Sequence, residues 1–220
     1  MKLNHKTLFV LAALSAAGFA YAQEAATDAV PTGTLGLRYG DVNVGLQDIR
    51  HLSQDAFNVG VGANIPVTNT LDASFAAGRA WLNSTVDQAV NAISVTGTEY
   101  TSFRGVKPFA FAGIGYAWEK DSFGSLKNHS EYGIWGLGVG VEVPATLVFP
   151  AATGLSVAPA ISYSDDFRKS RYSAQSYEYG AEINYWMDAK TAVYADIGYQ
   201  DVLRSRFDSW DYTLGVRIRY

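Results

Sequence analysis

The chain has 220 residues, with 17 lysines and arginines against 21 aspartates and glutamates, a net charge of −4 and no cysteine. The mildly acidic balance leaves no basic stripe for nucleic acid, and the absence of thiols excludes a disulfide framework, a thiolate metal site and a cysteine nucleophile. Beyond the first 22 residues no stretch approaches the roughly 18 consecutive apolar residues of a membrane helix, so a membrane existence would require a closed barrel.

Lys2 and Lys6 precede an apolar run from Leu8 to Ala20, and Ala20-Tyr21-Ala22 offers a small-x-small cleavage site before Gln23. Residues 1–22 therefore read as a secretory signal peptide cleaved after Ala22, its apolar part too short to span a bilayer. Cleavage removes two lysines and no acid, which moves the net charge from −4 to −6. Residues 23–33 (QEAATDAVPTG) read as a short tether, and 34–220 as one domain of alternating segments near the length of a tilted membrane strand, about 9–11 residues.

The first strand is expected over 34–45, with Leu35, Leu37 and Tyr39 on one face. Its phase changes to Val42 and Val44, which calls for a bulge near Gly40. After a polar loop at 46–55, residues 56–65 set Phe57, Val59, Val61, Ala63 and Ile65 against Asn58, Gly60, Gly62 and Asn64. A third strand covers 71–82, and a weak fourth covers 93–103, where Ile93 and Val95 disagree in phase with Tyr100. The fifth, 109–119, places Ile114, Tyr116 and Trp118 together, with Phe109 and Phe111 on the opposite face, so that either these two point inward or a bulge intervenes. Residues 121–130 read as a long loop. The sixth, 132–143, alternates Trp135, Leu137, Val139, Val141 and Val143 with Gly136, Gly138, Gly140 and Glu142. Strands over 155–164, around 177–187 and over 191–202 follow, and the chain ends on 211–220. There Tyr212, Leu214, Val216, Ile218 and Tyr220 alternate with Thr213, Gly215, Arg217 and Arg219, a period of two with one apolar face.

Thr213, Gly215, Ile218 and Tyr220 resemble the C-terminal assembly signal of bacterial outer-membrane β-barrels. The mature chain as a whole, on stretches such as Val106-Lys107-Pro108-Phe109-Ala110-Phe111-Ala112-Gly113-Ile114-Gly115-Tyr116, resembles the small Gram-negative barrels of the OmpA/OmpX-like superfamily. The resemblance implies an all-β, antiparallel, up-and-down transmembrane barrel in the outer membrane, delivered by the barrel assembly machinery. Ten strands are counted, and eight is the alternative if the fourth fails. Long external loops are expected to alternate with short periplasmic turns at 66–70, 104–108 and 188–190, with 144–154 as an exception. A soluble barrel with the apolar face inward is the rival fold. Trp81, Trp118, Trp135, Tyr177, Trp210, Tyr212 and Tyr220 on the apolar face suit membrane interfaces and favour the membrane.

The polar faces carry Arg38, Glu142, Glu178, Glu182, Asp196, Arg217 and Arg219. In a narrow lumen these charges are expected to pair, as a structural plug or as a constriction that selects small solutes. Hydrolase chemistry would need His51 or His129 with Asp165-Asp166 at the outer rim, and no spacing links them. No cofactor or metal-ligand spacing is present. The loops hold Arg50, His51, Lys120, Lys127, Arg168, Lys169, Arg171, Arg204 and Arg206, which suit lipopolysaccharide phosphates. The sequence thus points to a structural or interaction role at the loops, with a narrow passive pore and a rim hydrolase as alternatives. It leaves the oligomeric state open.

Overall fold

The computed structural model describes residues 29–50, 54–82, 87–123, 126–167, 175–203 and 208–220. These residues form ten antiparallel strands: β1 (Tyr39–Ile49), β2 (Gln54–Pro66), β3 (Leu71–Leu82), β4 (Asp87–Tyr100), β5 (Lys107–Phe123), β6 (Leu126–Pro144), β7 (Leu155–Asp166), β8 (Ser176–Trp186), β9 (Thr191–Val202) and β10 (Ser209–Arg219). Each pairs with its sequence neighbours, and β1 closes on β10 with Tyr39 opposite Arg219 and Ile49 opposite Ser209. Closure removes both sheet edges, the condition for backbone to lie in lipid. An even strand count brings both ends of the described chain to one rim. That rim carries the turns at 67–70 and 187–190, on the side expected to face the periplasm.

The alternation decides what each face touches. Val42, Val44, Leu46, Phe57, Val61, Phe75, Ile93, Val95, Ile114, Leu137, Val139, Ile183, Leu214 and Ile218 are exposed on the outer wall. Glu119, Glu142, Glu178, Glu182, Asp196, Asp211 and Arg217 are buried within. A soluble barrel would invert this arrangement, so that rival is excluded. Rings gather towards the outer rim: Phe57 on Trp81, Trp135 on Tyr163 on Tyr177, and Tyr199 on Trp210 on Tyr212, with centroids 5.1–6.5 Å apart. They form the girdle expected where lipid meets water.

Several expectations change, and one left open is decided. β1 begins at Tyr39 and pairs without a bulge, while Pro31, Gly33, Thr34, Leu35, Gly36 and Leu37 are buried ahead of it. Leu35, Leu37 and Tyr39 pack with Tyr100, Phe109, Trp186, Ala158 and Ala192 as one apolar cluster. The segment is a stopper in the periplasmic mouth, and it takes in the last residues of the expected tether; 1–28 lie outside the described residues. Phe109 and Phe111 point inward without a bulge because that stopper gives them an apolar partner. Finally, 46–55 and 121–130 are largely strand: β1 runs to Ile49, and β5 and β6 extend to Phe123 and Leu126 as a hairpin of 17 and 19 residues. Beyond the bilayer no apolar medium demands alternation, so these polar strand ends read as loops. The connections at the two rims do not differ systematically in length, since 145–154 between β6 and β7 exceeds 50–53 between β1 and β2.

Candidate functional site

Arg217 and Glu182 meet inside the filled lumen, both buried. Register brings Glu182 of β8 opposite Asp196 of β9, with Arg217 of β10 one strand further. Arg217 donates from Nη1 to Glu182 Oε1 at 2.8 Å and from Nη2 to Oε2 at 2.5 Å, and also to Asn184 Oδ1. This two-point fork suits a planar guanidinium and a carboxylate. The guanidinium carbon lies 4.0 Å from the Tyr194 ring centroid and 5.0 Å from that of Tyr39, so two rings clamp the cation. Asp196 stands beside the pair without joining it, and its Oδ2 has no hydrogen-bond partner among the described residues.

The other expected lumen charges fall elsewhere. Glu142 closes the far wall over the stopper: its Oε1 accepts from Thr34 N at 2.5 Å and Thr34 Oγ1 at 2.8 Å, and its Oε2 accepts from Leu35 N at 3.2 Å. Lys107, opposite Glu142 in register, donates to Leu35 O at 2.6 Å, and Asn64 Nδ2 donates to Leu37 O at 2.8 Å. Glu178 lies higher, reaching over Gly198 towards Asp211. Arg219 is half-buried at the periplasmic end and donates to Ala189 O at 3.5 Å. Arg38 is exposed, precedes β1 and takes no place in the lumen. The seven residues therefore make separate groups rather than one network.

A water-filled channel would leave its lining accessible, yet Glu142 and Glu182 are 1% exposed, Asn184 is fully buried and Arg217 is 3% exposed. A cavity of about 60 Å³ between the inward faces of β4, β5, β6 and β7, lined by Ser94, Thr96, Phe111, Ser162 and Ser164 among others, has room for a few waters. A second apolar group, Val90, Ala92, Ala117, Tyr132 and Ile134, packs on the inner faces of β4, β5 and β6, and Ile134 also borders this cavity.

His51, Arg168, Lys169, Arg171, Arg204 and Arg206 lie outside the described residues. Lys120 and Lys127 fall on β5 and β6 rather than in a loop. Arg50 stacks over Tyr199 at 5.7 Å. His129 is bonded through Nε2 to Glu131 Oε1 at 2.7 Å, and Glu131 also accepts from Tyr116 OH. Asp165 and Asp166 sit on opposite faces of β7, with Asp166 buried. The structure therefore does not gather His129 with that acidic pair.

Arg79, which the sequence reading passed over, is exposed on the outer wall of β3, two residues from Trp81 and in phase with Phe75 and Ala77. That phase was the signal that could have found it. Its guanidinium carbon lies 5.1 Å from the Trp81 ring centroid. Register places Asn91 beside it and Trp118 beyond.

An apolar wall around buried charges, closed by ten antiparallel strands, defines a small transmembrane β-barrel of the outer-membrane type. No family model and no curated protein matches the chain. Among solved structures it is similar to Neisserial surface protein A, at 12% identity over 83% of this chain and 97% of that one with a TM-score of 0.46. The translocator domain of the autotransporter NalP from Neisseria meningitidis gives 9% identity, 83% and 88% coverage and a TM-score of 0.48. The outer membrane protease OmpT from Escherichia coli gives 8%, 86%, 98% and 0.47. At this level of likeness nothing about the chain's own activity follows from them.

Proposed function

We propose that this barrel is a sealed wall element of the outer membrane that works at its outer rim, where it holds lipopolysaccharide through its phosphates. Arg79 carries the reading. A cation on the lipid-facing wall costs about 2–4 kcal/mol at the bilayer centre but about 0–1 near the interface, and stacking over Trp81 draws this one to the interface. There a phosphate oxygen is the anion that its donors fit. Asn91 adds a neutral donor beside it, and Arg50 repeats the arrangement over Tyr199.

The refolded protein should bind lipopolysaccharide in a co-flotation assay, and Arg79→Gln should weaken it about tenfold, the loss of one charge-assisted hydrogen bond. Equal retention of dephosphorylated lipopolysaccharide, or no change in Arg79→Gln, would sink the reading. We further propose that β10 carries the signal read by the barrel assembly machinery, for which the exposed Ile218 and Tyr220 are available on the outer wall.

A second reading is a narrow pore closed by its own N-terminal segment. It is favoured by the acidic lining of the outer half, Glu178, Asp196 and Asp211 on adjacent strands, which would admit cations once residues 31–38 withdrew.

A further inference from the structure

The periplasmic rim is uneven. Between β4 and β5, Phe103 and Val106 pair through reciprocal backbone bonds of 2.9 and 3.0 Å around Arg104 and Gly105, whose φ of 52° and 86° make a tight left-handed turn. Phe103 is 58% exposed, with the Arg104 guanidinium over its ring at 5.1 Å. Between β6 and β7, a 3-10 turn at Ala145–Leu147 presents Leu147, Val148 and Phe149, which are 51%, 68% and 68% exposed. Leu147 lies against the Arg104–Gly105 turn: a methyl of Leu147 would stand 3.0 Å from a Cβ at Gly105. The two connections therefore form one lip carrying four exposed apolar side chains and a cation. The turns at 67–70 (VTNT) and 187–190 (MDAK) carry one large apolar residue each.

We propose that this lip is an interfacial anchor seated in the inner leaflet, its apolar side chains at the acyl boundary and Arg104 on a phospholipid phosphate. Two features select lipid over a soluble protein. The lip continues without a break from Val143 and Leu155, outward positions of β6 and β7, so it extends the wall already in contact with the bilayer. Its single cation beside exposed rings is the composition of segments that lie in the headgroup layer. The far side of the same rim, where the β8–β9 turn carries Asp188 and Lys190, stays in water, so the barrel is held by one side of its base.

The chain has no cysteine, so single nitroxide labels report depth without background. Phe149→Cys would be labelled in vesicles of phosphatidylethanolamine and phosphatidylglycerol, with Val139→Cys as the lipid-facing reference and Asn69→Cys as the aqueous one. Heat-dependent gel mobility verifies insertion, and Val148→Cys substitutes if Phe149→Cys fails to insert. The label at 149 should collide with oxygen as the one at 139 does, several-fold more than at 69 relative to a water-soluble nickel chelate. Arg104→Glu should shift it towards water in these anionic vesicles. A label at 149 that behaves like the one at 69 would overturn the proposal and give the lip to a soluble periplasmic partner. An unchanged depth in Arg104→Glu would overturn the phosphate contact.

Discussion

Arg217 joins a carboxylate, an amide and two aromatic rings at one point of the lumen, at 3% exposure. A charge pair so placed adds little over an apolar pair of equal volume, but one partner without the other is a bare buried charge. Arg217→Ala should therefore lower the unfolding free energy by about 3–5 kcal/mol, read from urea unfolding in lipid vesicles. Arg217→Met with Glu182→Leu should recover most of it. An Arg217→Ala protein that unfolds at the wild-type urea concentration would show that the clamp carries no stability. Of these contacts the sequence offered the facing charges but not the rings. Tyr194 shares a face with Asp196, whereas Tyr39 follows Leu35 and Leu37 in a phase that, taken as wall, hides its place inside.

At the scale of the strands, β5 and β6 fit through two glycines. A Cβ at Gly140 would lie 2.4 Å from Phe109 Cζ and 2.7 Å from Pro159 O, and one at Gly138 would lie 2.4 Å from Phe111 Cζ and 2.6 Å from Ile161 O. Ring on one side and backbone on the other leave no direction for relief. Gly140→Val should cost about 1–3 kcal/mol by overpacking, seen as a lower urea midpoint, and a wild-type midpoint would mean that Phe109 moves freely. The period-two glycines were plain in the sequence, but their cause was not, because the rings they admit sit on another strand. Elsewhere the strands were legible in proportion to the contrast between their two faces. β3 and β9, with lipid on one side and polar groups on the other, have the boundaries that alternation sets. β4 lost its phase because Tyr100 meets the apolar stopper, so both sides of its periplasmic end are dry.

For the whole molecule, the decisive element is the one outside the sheet. Residues 31–38 are held by Glu142, Lys107 and Asn64, from β6, β5 and β2. Replacing Glu142 by Gln and Lys107 by Met should loosen the stopper and raise ion conductance in planar bilayers, with cations preferred. The unaltered protein should conduct little. Silence from the inserted double variant would mean that the apolar cluster seals the mouth unaided. The closed wall was readable from alternation alone, and its contents were not. A segment that fills a tube follows the tube's interior, and no local period records that.

The stopper runs directly into Tyr39, the first residue of β1, and β1 is also where the sheet closes on β10. The plug is thus hinged on the seam. Parting β1 from β10 would therefore carry the root of the stopper with it, so the seal of the mouth and the closure of the wall share one strand.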